Sequence, residues 1–80
     1  MPEILLEEVV GSVLGVSPQS LSDDSSSENV REWDSLRQLS ILLALESAYG
    51  ITITADQALD MNSIAAIRDL LAEHGVELPN

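Results

Sequence analysis

Apolar residues recur every three to four positions in three separate segments of the chain, and the first segment runs from Glu3 to Leu14. Its repeating positions are Leu6, Val9, Val10 and Val13. Because this spacing places side chains on one face of an α-helix, it predicts a first helix with a buried stripe. Pro2 suits the start of that helix, and Gly15 suits its end.

The second segment, from Ser35 to Tyr49, carries two apolar stripes. The stripe expected to face the core consists of Leu39, Leu42, Leu45 and Tyr49. The other stripe consists of Leu36 and Leu43 together with Ser40 and Ser47. A helix in a small bundle needs only one apolar face. The second stripe is therefore either scattered surface leucine or a docking patch for a partner protein, and its position beside Ser35 favours docking.

Two shorter patterns follow Gly50, which is expected to end the second helix. The run Ile51-Thr52-Ile53-Thr54 alternates like a strand, but we find no second strand to pair with it. We therefore interpret it as an extended connector whose isoleucines fill the bundle. The next residues, Thr54-Ala55-Asp56-Gln57, fit the capping-box pattern and predict a short third helix that ends near Asp60.

The third periodic segment predicts a last helix that begins after Asn62 or Ser63 and continues to about His74, before Gly75. Its inner face is expected to consist of Ile64, Ile67, Leu70 and Leu71. The predicted fold class is therefore all-α: a small four-helix bundle with three longer helices and one short helix.

A long loop, residues 16–33, separates the first two predicted helices. It is rich in serine and acidic residues, and Val16, Leu21 and Val30 are expected to anchor it to the core. Loops of this length in a small bundle more often have a function than not. Residues 1–80 are short enough that we expect a single domain.

Charge excludes several classes of partner. The formal net charge is −11, with fourteen acids against three arginines and no lysine. Such a surface repels nucleic acid and anionic lipid, and it attracts basic protein patches. We therefore expect a protein that binds neither nucleic acid nor membrane. The sequence contains no leader-like segment and no long apolar run, so we also expect it to be cytoplasmic. A monomer is expected, and the sequence contains no cysteine. The acids Asp23, Asp24 and Glu28 lack the ligand spacing of an EF-hand, so no metal site is predicted.

The tripeptide Asp34-Ser35-Leu36 carries the candidate chemistry. Asp34 is a good N-cap, because its carboxylate can accept hydrogen bonds from the free N–H groups of the first helical turn. Ser35 then occupies the first helical position, where the positive end of the helix dipole favours a phosphate or phosphodiester. Capping alone is the competing interpretation of the same residues.

With these features the chain closely resembles the acyl carrier proteins over essentially its whole length. Asp34-Ser35-Leu36 resembles the Asp-Ser-Leu at the head of that family's second helix, and Val13-Leu14-Gly15-Val16 before Pro18 resembles the end of the first helix. The family pattern continues along the second helix at Leu39, Leu42, Ala44, Leu45, Glu46 and Tyr49. The later elements of the family are matched by Ile51, Ile53 and the run from Ser63-Ile64 to Leu71.

The resemblance implies a non-catalytic carrier. Ser35 would receive 4'-phosphopantetheine from coenzyme A through a phosphopantetheinyl transferase, and the thiol of the arm would carry acyl or aminoacyl groups as thioesters. Asp34 would cap the helix beside it. The residues that would guide partner docking are Leu36, Arg37, Leu43 and Glu46. Further partners would be an acyl- or aminoacyl-loading ligase and downstream synthase or transferase enzymes.

The chain departs from the fatty-acid type of the family along the second helix. Several acids lie along this helix in that type, whereas here Arg37 and Gln38 follow Leu36, Ser40 replaces one expected acid, and only Glu46 remains clearly in place. This favours a specialised pathway, such as secondary-metabolite, polyketide or aminoacyl chemistry, over bulk fatty-acid synthesis, and Trp33 favours the same choice. The beginning at Met1 and the short tail after Gly75 favour a free-standing protein.

Three alternative functions remain beside that of an acyl carrier protein, and they differ from one another in their chemistry. One is a cofactor-free acidic helical module that binds a partner through Leu36 and Leu43. Another, within the carrier class, is a peptidyl or aryl carrier of a nonribosomal peptide synthetase system. The third, a serine hydrolase, would need a base near Ser35, but the single histidine, His74, falls at the end of the last predicted helix.

Overall fold

The computed structural model describes residues 5–78 and contains four α-helices within that range. They are α1 (Leu6–Leu14), α2 (Ser35–Tyr49), α3 (Ala55–Asp60) and α4 (Ile64–Glu73). A single 3₁₀ turn, Pro18–Ser20, interrupts the long loop. Residues 5–78 form no strand, and their β-type pairing is limited to one isolated bridge between Ser26 and Ser63. The predicted all-α class is confirmed.

Helix α1 packs against α2 through the predicted stripe. Leu6 and Val10 are fully buried, and Val9 and Val13 are half-buried against the same core. Gly15 ends the helix in the left-handed region, with φ of 73°. The predicted start at Glu3 and the role of Pro2 fall outside the described residues. Within α1, a Cβ atom on Gly11 would lie 2.9 Å from the Val16 carbonyl oxygen, so glycine permits the following loop to fold back onto the helix.

The long loop is fastened to the beginning of α4. The backbone N–H of Ile64 donates to the Ser25 carbonyl at 2.9 Å, and the N–H of Ala65 donates to the Asp23 carbonyl at 3.2 Å. The loop therefore satisfies N–H groups that a helix start leaves without partners. Leu21 is buried, and Val16 and Val30 pack partly buried against the core, as predicted.

The later elements follow the sequence pattern closely. Thr54 forms both hydrogen bonds of the predicted capping box with Gln57, and Ser63, rather than Asn62, caps α4 by accepting from the Ala66 N–H. The four predicted inner residues of α4 are all buried: Ile64, Ile67, Leu70 and Leu71. The connector after Gly50 is extended, with Ile53 buried and Ile51 partly buried.

The predicted core face of α2 is partly wrong. The spacing predicts that Leu39 faces the core, but it is 55% exposed, whereas Ile41, which lies outside the predicted stripe, is fully buried. Leu45 is buried as expected, and Leu42 and Tyr49 are partly buried. The reason is the rotation of the helix: α2 turns Ile41 and Leu45 inward, and at 100° per residue Leu39 then moves to the side of Leu36 and Leu43.

Arg68 on α4 joins three parts of the bundle. Its guanidinium lies 2.7 Å from the Glu7 carboxylate on α1 and 3.2 Å from the Asp23 carboxylate in the loop. These ion pairs offset a part of the mutual repulsion among the acids. Of the helices within residues 5–78, none has the length and apolarity needed to cross a membrane.

Candidate functional site

The first turn of α2 places Ser35 at the protein surface. Asp34 is the N-cap, with extended backbone angles, and its Oδ1 atom accepts a hydrogen bond from the Arg37 N–H at 2.9 Å. Ser35 is therefore the first residue of a 15-residue helix, and it is exposed. Its hydroxyl makes no hydrogen bond to any residue of the described part of the chain, so its Oγ atom is accessible to another molecule.

The side chain of Arg37 also contacts the Asp34 carboxylate, in addition to the hydrogen bond from its backbone N–H. Its Nη1 atom lies 3.0 Å from the Asp34 Oδ2 atom, in an exposed ion pair. The backbone N–H bond from Arg37 is the largest cause that lowers the pKa of Asp34 below its ordinary value of 3.8, and the charge of the guanidinium lowers it further. Asp34 is therefore ionised at neutral pH, and its charge is partly balanced beside Ser35.

An open pocket of about 420 Å³ adjoins Ser35. Its lining is mixed: Trp33, Ala58 and Leu59 are apolar, whereas Gln38 and Asn62 contribute amide groups. A pantetheine arm has amide, hydroxyl and hydrocarbon portions, so a lining of this mixture suits it chemically. The residues around Ser35 therefore fit a phosphopantetheine group, with the helix start for its phosphate and the pocket for its chain.

Gln38 connects the beginning of α2 to the end of α3. Its Oε1 atom accepts a hydrogen bond from the Trp33 indole Nε1 at 2.6 Å. Its Nε2 atom donates to the Met61 carbonyl at 2.8 Å and to the Ala58 carbonyl at 3.3 Å. The sequence interpretation did not find this role. The available signal was the position of Gln38, which is a polar residue one turn before Ile41 and Leu42, on the side of α2 that faces the bundle.

Three leucines form an exposed apolar surface along α2, here named the leucine face. They are Leu36, Leu39 and Leu43, exposed by 72%, 55% and 57%. The structure thus places Leu36 and Leu43 together, as the sequence suggested, and adds Leu39. Arg37 lies on α2 at the same end as Ser35, with its side chain about half exposed.

Glu46 differs in position from the other candidate docking residues. Its Oε2 atom accepts a hydrogen bond from the Ile53 N–H at 2.8 Å, and the residue is half-buried. This bond ties α2 to the connector before α3. Glu46 therefore has a structural partner, and α2 presents little negative charge on its exposed side.

Other titratable groups do not assemble around Ser35. His74 lies at the end of α4, where its ring contacts the Gln57 side chain at 3.2 Å. Within residues 5–78, no group of three or more histidine, cysteine, aspartate or glutamate residues is arranged to hold a metal ion.

Comparison with known proteins gives one family and one fold. The family model described as the phosphopantetheine attachment site matches residues 5–71. A solution NMR structure of a holo acyl carrier protein from Nitrosomonas europaea superposes with a TM-score of 0.69 and 24% sequence identity, covering 88% of this chain and 89% of that one. No curated protein matches significantly. These findings confirm the predicted bundle and the predicted family resemblance.

Proposed function

Because the chain belongs to the phosphopantetheine attachment site family, we propose that Ser35 is the residue that carries the 4'-phosphopantetheine arm. Members of this family are carriers and not enzymes, and their prosthetic group supplies a thiol on which cargo is held as a thioester.

The observation that carries the proposal is the position of Ser35 itself. Ser35 is exposed at the first position of α2, its cap is formed by Asp34, and the pocket opens beside it. The N–H groups of a first turn and the helix dipole stabilise an anion, so a phosphodiester on Ser35 is favoured there. Residues 1–80 contain no cysteine, so the thiol of the arm has no thiol within this sequence with which to form a disulfide.

We further assign partner docking to the leucine face and Arg37. Exposed apolar patches on a small protein are typical of interaction surfaces, and this one begins beside Ser35. Glu46 contributes by holding the connector, and its half-burial leaves it a smaller part in docking. The acids lie largely elsewhere, with Asp23, Asp24 and Glu28 in the loop.

The charge pattern supports a specialised carrier over one of bulk fatty-acid synthesis. On α2 the charged residues are Arg37 and Glu46 alone, so a partner that recognises several acids on this helix finds few. Acyl or aminoacyl groups of secondary-metabolite, polyketide or nonribosomal peptide chemistry are the proposed cargo. The proposed partners are a phosphopantetheinyl transferase, a loading ligase, and synthase or transferase enzymes. We propose further that residues 1–80 act as one monomeric, cytoplasmic domain.

One other function is supported by a specific observation, the leucine face. A cofactor-free interaction module would bind its partner through the same three leucines and would not need Ser35. The two functions therefore differ in what the loss of the Ser35 hydroxyl would do. It would abolish attachment of the arm to a carrier, but it would leave an interaction module able to bind its partner.

The test is the intact mass of the protein after incubation with coenzyme A, Mg²⁺ and a broad-specificity phosphopantetheinyl transferase. We expect the wild type to gain the mass of one phosphopantetheine and Ser35→Ala to gain none. Ser40→Ala is the matched control, because it removes a second exposed hydroxyl from α2, and it should be modified like the wild type. A folded wild type that gains no mass would favour the interaction module.

A further inference from the structure

The charge on the exposed side of α2 differs from that of the chain as a whole. Of the fourteen acids, only Glu46 lies on α2, and its carboxylate accepts a hydrogen bond from the Ile53 N–H at 2.8 Å. The other charged residue of the helix is Arg37, whose side chain is 44% exposed. A strongly acidic protein therefore presents, on this helix, a surface whose most exposed charge is a cation.

Arg37 lies at the edge of the leucine face. It follows Leu36 directly, so at 100° per residue it is one step around the helix from that leucine. The exposed polar residues nearest the leucines on α2 are Ser40 and Ser47, which carry hydroxyl groups and no charge. Protein interfaces combine an apolar centre with a polar rim. On α2 the leucines supply such a centre, and the guanidinium of Arg37 supplies the charge at its rim.

The Arg37 guanidinium keeps donors for a second partner. Within residues 5–78 only its Nη1 atom is bonded, to the Asp34 Oδ2 atom at 3.0 Å. Both carboxylate oxygens of Asp34 accept from Arg37, because Oδ1 accepts its backbone N–H at 2.9 Å. A guanidinium has five N–H donors in a planar fork that matches a carboxylate. Arg37 can therefore bind another carboxylate, whereas a cation that approaches is repelled by Arg37 and finds the charge of Asp34 already partly balanced.

The acids of the loop act at a distance and not at this surface. Asp23, Asp24 and Glu28 are exposed, and the net charge of −11 steers basic proteins toward the molecule as a whole. Exposed charges separated by more than about 10 Å are largely screened at roughly 0.1 M salt. A protein that covers the leucine face must therefore be complementary to Arg37, and the net charge does not decide that fit.

We propose that the partner protein that binds the leucine face presents an apolar patch with a carboxylate opposite Arg37, and that Arg37 selects against partners whose docking patch is basic. Arg37 is thus a specificity-determining residue at the rim of the interface. This inference rests on the proposed docking role of the leucine face. It does not depend on attachment of the arm at Ser35, because the same surface would serve a carrier and a cofactor-free module.

Selection against basic partners is tested by isothermal titration calorimetry without coenzyme A, so that binding is measured and no transfer occurs. The probes are two phosphopantetheinyl transferases, one with a basic docking groove and one with an apolar docking groove. Arg37→Glu should bind the basic transferase about fivefold more tightly than the wild type does, because an opposite charge replaces a like charge at the contact. It should not bind the apolar transferase more tightly. Arg31→Glu is the matched control, since it changes the net charge equally at an exposed loop position, and its affinities should stay within about twofold of the wild type.

The carboxylate is tested by a double-mutant cycle with the apolar transferase. A glutamate is introduced into its groove at the position that crosslinks to residue 37 of this chain. We expect the wild-type chain to bind this glutamate variant about threefold more tightly than the parent transferase, as an exposed ion pair allows. Arg37→Gln should lose that gain, and Arg31→Gln should keep it.

The outcomes separate the claims. Equal tightening in Arg37→Glu and Arg31→Glu, or none in either, would overturn the role of Arg37, and an unchanged or weaker affinity for the glutamate variant would overturn the carboxylate. Leu43→Asp should weaken the binding of both transferases; if it does not, the leucine face is not the docking surface and the inference fails with it. A chain that binds but gains no mass with coenzyme A would remove only the attachment at Ser35.

Discussion

Helices α2 and α4 use their apolar residues differently. In α4 the residues Ile64, Ile67, Leu70 and Leu71 are all buried, so its apolar side chains serve the core. In α2 only Ile41 and Leu45 are fully enclosed, and the leucine face stays exposed. The comparison indicates that α4 contributes mainly to stability, whereas α2 divides its apolar residues between the core and a surface beside Ser35.

The largest expected difference concerns the free energy of unfolding. Leu71→Ala on α4 removes a fully buried side chain, and we expect a loss of about 2–5 kcal/mol. Leu43→Ala on α2 makes the same chemical change on the leucine face, where we expect a change within about 0.5 kcal/mol. Urea unfolding followed by circular dichroism measures both. Equal losses would show that the leucine face supports the fold and is not free for docking.

The second difference concerns modification by the transferase. Leu36→Asp places a charge at the end of the leucine face nearest Ser35, and we expect kcat/KM for phosphopantetheine transfer to fall about tenfold or more, as at a well-packed interface residue. Ser47→Asp introduces the same charge at the far end of α2 and should have a much smaller effect. Unchanged kinetics in folded Leu36→Asp would contradict the docking role.

A third comparison uses the arginines of the two helices. Arg68→Gln on α4 breaks two ion pairs that connect α4 to α1 and the loop, and we expect a loss of about 1–2 kcal/mol of stability. Arg37→Gln on α2 breaks one exposed pair, with an expected loss below about 1 kcal/mol. Arg31→Gln, in the exposed part of the loop, controls for the change in net charge. A larger loss at Arg37 than at Arg68 would reverse the comparison.

The smallest expected effect is the pH dependence of the α2 cap. The pKa of Asp34 is lowered from 3.8 mainly by the hydrogen bond from the Arg37 N–H. A lowered folded-state pKa means that the cap stabilises the fold fully above 3.8 and that this contribution is lost as the pH falls through the folded-state value. NMR titration of the Asp34 carboxyl should have its midpoint below 3.8.

Arg37→Gln separates the two causes of that pKa shift, because it removes the guanidinium and retains the backbone N–H. We expect the Asp34 midpoint to rise only in part. A return to the ordinary value would assign the shift to the charge of Arg37 alone.

Most of the fold was predictable where one physical signal acted alone. The buried face of α4 has a single apolar stripe, and the caps Asp34, Thr54 and Ser63 have side chains that bond locally to the next turn. Leu39 was mispredicted because α2 has apolar residues on two sides, so periodicity does not fix its rotation; packing against α1 does.

The geometry of the candidate site was also predictable where it depends on neighbouring residues, and not where it depends on distant ones. The placement of Ser35 at the first helical position follows from the local capping by Asp34, which the sequence contains in full. The partners of Gln38 and Glu46 are distant in sequence, at Ala58, Met61 and Ile53. They could not be inferred, because only the packing of α3 and the connector brings those backbone groups within reach.

The most direct test of the account is to locate the modification by tryptic mass spectrometry. The chain has no lysine, so cleavage after Arg31 and Arg37 releases residues 32–37, in which Ser35 is the only serine. After treatment with coenzyme A, Mg²⁺ and the transferase, we expect the mass of one phosphopantetheine on this peptide and on no other. The same mass on any other peptide, or none in the folded protein, would contradict the assignment of Ser35.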